Sequence, residues 1–397
     1  MQAEQLYQSP NKLAPLYSRF RVAERLLLTG HSHQAWPDCA FDGQVLAWED
    51  AACYVDEKWE RAFAQAQAVK AGFAGLIGDH ERNITLGSNT HELVTKFLSA
   101  LPLGKRPKLI TTDGEFHTIR RQLDRLGEEG VQIIKVPSSP AADLVERMRS
   151  AIDEKTAAVL ISKVFYHSAV IVKDLDRLAD RCQEVGSELL VDAYHALNVV
   201  PFSVINEGLA SAFIVGGGYK YCQLGEGNCF LRVPPGCTLR PVITGWFAEF
   251  DILSQQRQDN RVPYPSDAAR FAGSTYDPTS HYRGAKVFEF FHRYQLSPEF
   301  LRTINQHQIK HLLSCFDALD VDPTLIDYDR SIAPDDRGGF LVLHTPHAHI
   351  LQHLLKQRGV HTDHRGTSLR LGPAPYLSDA QLSTAMQILG EILRERF

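Results

Sequence analysis

Apolar residues in this chain fall in short, compact runs of strand length, separated by stretches with helical spacing. Residues 59–77 are alanine-rich and read as a helix that Gly78 can close. Residues 82–86 form a short strand and 92–101 a helix. Apolar strands at 108–112 and 131–136 flank a helix at 118–126, and a helix at 144–152 follows. Strands at 157–162, 188–191 and 212–215 come next, with a helix at 175–185 between the first two. Nearly continuous apolar strands alternating with helices predict an α/β fold with a mostly parallel, buried central sheet and helices on both faces. Residues 228–233 add a strand expected to run antiparallel to the preceding one. After about residue 280 the pattern changes. A helix at 284–294 leads into an α+β region with a strand at 339–344 and a final helix at 380–396. The first 45 residues are too few to fold alone. The expected division is a large domain of residues 46–280 and a discontinuous small domain of 1–45 and 281–397.

Composition narrows the function classes. A chain of 397 residues that is 44% hydrophobic has material for one large core and a smaller one. Its net charge of −5 carries no basic block, which argues against a nucleic-acid partner. No apolar run approaches the ~20 residues needed to span a bilayer, and the first twenty residues lack the apolar centre of a secretory signal. A cytoplasmic location without membrane attachment is expected. The 7 cysteines are odd in number and form no CxxC pair, so free thiols and no metal site are expected.

Three segments carry candidate chemistry. In the first, the apolar run 189–191 ends at Asp192, with His195 three residues later. Ligands of open α/β sheets bind beyond the carboxyl ends of the strands. An acid there can pair with a protonated ring nitrogen, though it can also simply cap a turn. In the second, a strand runs into Gly216-Gly217-Gly218-Tyr219-Lys220-Tyr221. Glycines let the backbone turn and approach a ligand, and a lysine with a partly deprotonated amine can form an imine with an aldehyde. A surface turn with a solvated lysine is the plainer reading, but the spacing of 28 residues after Asp192 strengthens the other. The third is Gly87-Ser88-Asn89-Thr90-His91 ahead of an apolar helix. Small and hydroxyl residues there can cradle an anion or merely cap the helix.

In this order the segments resemble the class V, fold-type I pyridoxal-phosphate family, and within it kynureninase. The likeness is most specific over Asp192–His195 and the run GGGYKYCQLGEGNCFLRV. It extends to Gly30-His31-Ser32, Val164-Phe165-Tyr166, Gly245-Trp246-Phe247, Phe271-Ala272-Gly273-Ser274-Thr275 and Arg370-Leu371-Gly372-Pro373-Ala374-Pro375. The resemblance implies pyridoxal 5'-phosphate as cofactor, with Lys220 as its imine lysine. It implies that Asp192 holds the pyridine nitrogen protonated and that His195 supports Asp192. Asn89 and Thr90 would bind the phosphate, completed by Tyr219, Trp246 and Ser274. Either Phe116 or His117 would cover the ring. Arg370 would grip the substrate carboxylate, and Tyr219 is a candidate proton donor. A homodimer with its active site at the interface is also implied. The substrate end departs from kynureninase. His31-Ser32-His33-Gln34 stands where the family has Asn-Ser-Leu-Gly, Thr275 stands near a family asparagine, and Tyr166-His167-Ser168 replaces Tyr-Thr-Gly. His31, Ser32 and Thr275 are therefore candidate substrate contacts. The expected activity is a kynureninase-like hydrolysis of a Cβ–Cγ bond in an amino acid. The alternatives are a class V aminotransferase or β-lyase, and a catalytically silent relative that only binds. Cysteine desulfuration is disfavoured because the last cysteine, Cys315, lies in a helix-like stretch.

Overall fold

The structure, a computed structural model, describes residues 1–253 and 261–397. Two helices, α1 (Cys39–Tyr54) and α2 (Lys58–Ile77), lead into strand β1 (Ile84–Gly87) and helix α3 (Thr90–Ala100). There follow β2 (Lys108–Thr112), α4 (His117–Glu128), β3 (Gln132–Val136), α5 (Leu144–Ala151), β4 (Thr156–Ser162), α6 (Leu175–Val185), β5 (Glu188–Asp192), β6 (Phe213–Gly217) and β7 (Cys229–Arg232). The later part holds α7 (Thr279–Tyr294), α8 (Pro298–Asp317), β8 (Leu341–His344), α9 (Ala348–Gln357), β9 (Asp363–Arg365), β10 (Ser368–Leu371) and α10 (Asp379–Arg396).

The 7-stranded sheet runs in the order β1-β7-β6-β5-β4-β2-β3. Strands β2 to β6 pair in parallel, whereas β7 is antiparallel to both β6 and β1. Every residue of β2, β4, β6 and β7 is buried. That double-sided burial is why these strands read as continuous rather than alternating apolar runs. The register places Ser162 beside Asp192 and Asp192 beside Val215, so the carboxyl ends of β4, β5 and β6 open on one edge.

A second sheet, β9-β10-β8, is antiparallel. Residues 26–27 pair in parallel with 360–361, and Thr29 bridges Gly372. The N-terminal segment around residue 31 is thereby laid against β10. Both expected domain boundaries fall inside helices, α1 and α7, and one apolar core holds Leu6, Val159, Ile214 and Leu389 together. Among the described residues no helix is long and apolar enough to cross a membrane, and no group of three His, Cys, Asp or Glu is placed to hold a metal.

Candidate active site

Lys220 lies three residues beyond β6 and is only 6% exposed. Its Nζ is hydrogen-bonded to His195 Nε2 at 2.6 Å. The rings of Tyr194, Phe116 and Tyr219 lie 5.1, 5.5 and 5.8 Å from Nζ. Burial pushes the Lys220 ammonium down to about 7, with Arg370 adding to the shift and Asp192 opposing it. A substantial fraction of the amine is therefore unprotonated near neutral pH. His195 is held well below the usual imidazole range by burial, Lys220 and Arg370, which leaves its ring neutral. Asp192 is buried at the end of β5, and its Oδ1 accepts from the Tyr194 backbone N–H at 2.9 Å. Burial raises its carboxyl, while that hydrogen bond and Lys220 favour the carboxylate. The side-chain hydrogen-bond partner of His195 is thus Lys220.

The three glycines before Lys220 serve packing rather than a sharp turn, contrary to the expectation from the sequence. A Cβ on Gly217 would lie 2.5 Å from both Cys229 Sγ and Tyr194 Oη, and one on Gly218 would lie 2.6 Å from a Leu224 methyl. Neither glycine has a positive φ.

Phe116 and His117 stand at the start of α4, but only Phe116 meets the lysine. Phe116 is half-buried and also approaches His195, at 6.4 Å between ring centres, whereas His117 is exposed. Glu115, which the sequence reading missed, is 1% exposed beneath Phe116. Its carboxyl accepts from Thr112 Oγ1 at 2.7 Å, Ser162 Oγ at 2.6 Å and Ser162 N at 3.2 Å. It therefore ties the ends of β2 and β4 together. Burial pushes it up to about 7, and Asp192 adds to the shift.

At the head of α3, Asn89 performs the plain capping role, its side chain accepting from Glu92 N at 2.9 Å. Thr90 is the first helical residue, and Ser88 Oγ donates to Glu92 Oε2 at 3.0 Å. Glu92 is in turn paired with the buried Lys96 at 2.7 Å. Ser88 and Gly87 line a cavity of about 760 Å³ together with Gly273 and Ser274. Trp246 and Thr275 are joined beside Ser274, Nε1 to Oγ1 at 3.2 Å. Ser274, Thr275 and Trp246 therefore gather on the Ser88 side, away from Lys220's hydrogen-bonding group. Tyr219 stands beside Lys220. Its ring lies against Tyr194, at 4.9 Å, and under His33, at 4.7 Å, and burial pushes its phenol up to about 12.

The third group surrounds Arg370. Its Nε donates to Asp363 Oδ1 at 2.8 Å, its Nη2 to Asp363 Oδ2, and its Nη1 to the Tyr166 carbonyl at 2.7 Å. His31, fully buried, meets the same Asp363 Oδ1 through Nε2 at 2.8 Å and stacks on Phe340 at 4.7 Å. Ser32 Oγ turns to His33 Nδ1 at 3.2 Å. The charges of Arg370 and Asp363 both act on Lys220 and His195. Asp363 was invisible to the motif reading, yet the turn at Gly366 (φ +53°) in the run HTDHRGTSLRL marks a hairpin that sets 363 opposite 370.

This fold is that of the fold-type I, class V pyridoxal-phosphate-dependent proteins. Within that class, residues 48–200 match the DegT/DnrJ/EryC1/StrS aminotransferase family. An uncharacterised aminotransferase of Bacillus subtilis, YcbU, is 24% identical over 200 residues, 50% of this chain and 53% of that protein. A mitochondrial cysteine desulfurase of Arthroderma benhamiae is 28% identical over 195 residues, 47% of this chain and 38% of that protein. The chain thus spans about half or less of the length of these curated relatives. Among solved structures, the apo cysteine desulfurase of Thermococcus onnurineus NA1 is similar at a TM-score of 0.76, with 14% identity over 94% of this chain and 95% of that one. The cystine C–S lyase C-DES, bound to cysteine persulfide, reaches 0.81, with 13% identity over 93% and 98%.

Proposed function

We propose that this chain is a pyridoxal-phosphate enzyme of class V that acts on an α-amino acid as an aminotransferase or β-lyase. The observation that carries this reading is the buried Lys220 amine, brought down to about 7 between His195, Asp192 and the face of Phe116. The donor set fits the cofactor: a buried amine for its aldehyde, a buried acid at a strand end for its ring nitrogen, an aromatic face, and a capped helix start for its phosphate. Pyridoxal phosphate, when bound, supplies an aldehyde that takes up amino groups and a ring that disperses negative charge at the adjoining carbon. Lys220 would hold it by its aldehyde, Asp192 by the ring nitrogen, Phe116 by the ring face. Ser88, Asn89, Thr90, Tyr219 and Ser274 would serve the phosphate, with Trp246 beside them.

The chain's own residues then account for the proton chemistry. The Lys220 amine, partly unprotonated near neutrality, accepts the proton leaving the substrate α-carbon and returns it elsewhere. His195 offers Nε2 as the resting partner of that amine. Tyr219, a phenol raised to about 12, keeps its proton and acts as a hydrogen-bond donor. Arg370 binds the substrate carboxylate through the N–H groups that Asp363 and Tyr166 leave over.

The matched aminotransferase and cysteine desulfurases support this reading over the C–C hydrolysis expected from the sequence. Desulfuration itself fits poorly, because Cys315 is fixed within α8, its Sγ 3.6 Å from His311 Nε2, and cannot swing to a distant site as a mobile nucleophile must. The kynureninase-like reading keeps one support, the shared residues Asp192, His195, Tyr219, Lys220 and Arg370. An amino-acid panel that includes kynurenine and cystine, run with and without a keto acid, separates the cases. Amino transfer that requires the keto acid, or release of pyruvate and ammonia without it, is the expected result. Alanine released from kynurenine without a keto acid would return the reaction to C–C hydrolysis.

A homodimer is part of the proposal. Phe41, Val45, Trp48 and Val55 of the α1 region are exposed apolar residues, as are Val242, Ile243, Trp246 and Phe250. Exposed apolar residues that gather into a large patch mark interaction surfaces.

A further inference from the structure

We infer that Asp363 is the positioning residue that fixes Arg370 for substrate recognition, and that His31 fixes Asp363. The inference rests on the reading of Arg370 as the carboxylate-binding residue.

The three side chains form a directed chain of hydrogen bonds. Asp363 and Arg370 are directly opposite across the β9-β10 hairpin, so backbone pairing sets their approach. Asp363 binds the side edge of the guanidinium, through Nε and Nη2, and the Tyr166 carbonyl takes Nη1. A guanidinium has five N–H donors. These three bonds leave one N–H on each terminal nitrogen. The free Nη2 hydrogen points along the outer edge shared with Nη1, the edge a second carboxylate would meet. With its side edge anchored, the guanidinium cannot rotate, and Arg370 is only 3% exposed.

Asp363 is itself constrained. It is an acceptor, its carboxyl held far below the usual range by His31 and Arg370 against the cost of burial, so His31 Nε2 must carry the proton of their 2.8 Å bond. Burial brings the His31 imidazolium down to about 4, and the ring is neutral. Its tautomer is therefore set, with the lone pair on Nδ1, a buried atom that has no hydrogen-bond partner. That nitrogen packs against Gly372, where any Cβ would collide with the ring. Stacking on Phe340, 4.7 Å away, completes the cage.

The same pairing has the opposite consequence if the carboxylate on Arg370 is a competitor that substrate must displace. The two differ in sign. A positioning acid makes carboxylate binding tighter, and a competing acid makes it weaker.

The test uses the cofactor-loaded protein and titrates its visible absorbance with L-alanine and with L-alaninamide, which lacks the carboxylate. In the unsubstituted protein L-alanine should bind at least tenfold better than the amide. Asp363→Asn should weaken L-alanine by tenfold or more and leave L-alaninamide within twofold. His31→Phe keeps the ring stack but loses the N–H, and should weaken L-alanine by a smaller factor with the same selectivity. It serves if Asp363→Asn does not fold. Tighter or unchanged binding of L-alanine in these variants would overturn the inference, as would equal binding of amide and acid by the unsubstituted protein. A protein that shows no visible absorbance with pyridoxal phosphate would instead refute the cofactor reading beneath it.

Discussion

At the scale of single residues, the site works by opposing shifts on one amine. Burial lowers Lys220, Arg370 lowers it further, and Asp192 raises it. Removing either neighbour should move the amine in a known direction. In cofactor-free protein, the pH midpoint for acetylation of Lys220, followed by mass spectrometry, should fall in Asp192→Asn and rise in Arg370→Gln. Identical midpoints in all three proteins would mean that these charges do not reach Lys220. In loaded protein, Asp192→Asn should lose most turnover, because an amide cannot stabilise a protonated ring nitrogen. Near-normal rates would make Asp192 structural only. Lys220, Asp192 and His195 were singled out because they stand in or just after a strand end, and Arg370 by the resemblance alone. Glu115 and Asp363 were not legible. Glu115 depends on Ser162, 47 residues away, and the link from Asp363 to His31 spans 332 residues; only the pairing of Asp363 with Arg370 has a local signal, the Gly366 hairpin.

At the scale of elements, the helices between the strands of the large sheet were legible, whereas α9 was not read and α8 only around Cys315. Strand β2 was read at its full extent and β4 to within one residue. Helix α1 was missed. Its apolar residues Phe41, Val45 and Trp48 point outward, while Gly43 faces α7 so closely that a Cβ would lie 2.6 Å from the Tyr282 carbonyl oxygen. The same logic governs β6. Gly217→Ala must displace Cys229 and Tyr194, an overpacking that costs about 1–3 kcal/mol. Its urea midpoint should drop accordingly, and an unchanged midpoint would show that the glycine run is tolerated for another reason. Removing the α3 cap by Asn89→Ala should cost about 1 kcal/mol of stability. A loss of cofactor affinity well beyond that destabilisation would separate phosphate binding from capping.

For the molecule as a whole, buried ionisable groups set the response to pH. His31 and His281 are each brought down to about 4, chiefly by burial, and His195 lies well below its usual range. The unfolded chain takes up these protons near 6.5 and the folded one does not. Stability from these three is therefore full above about 6.5 and lost as pH falls towards 4. Glu115 acts with the opposite sign. Raised to about 7, it favours the fold below 4.5 and withdraws that support as pH rises through 7. Three groups outweigh one, so the urea midpoint should fall between pH 7 and pH 5. Glu115→Gln should gain stability at pH 8 and not at pH 5, and an equal effect at both would refute its raised carboxyl. Sedimentation should show a dimer at micromolar concentration, and a fully active monomer would contradict the proposed interface. The functional expectations depend on one chemical claim, that Lys220 carries the cofactor. Borohydride reduction of the protein loaded with pyridoxal phosphate, followed by peptide mapping, tests it most directly. The account predicts a single phosphopyridoxyl label on Lys220. A label on Lys163 or Lys173 instead, or no stable label at all, would contradict it.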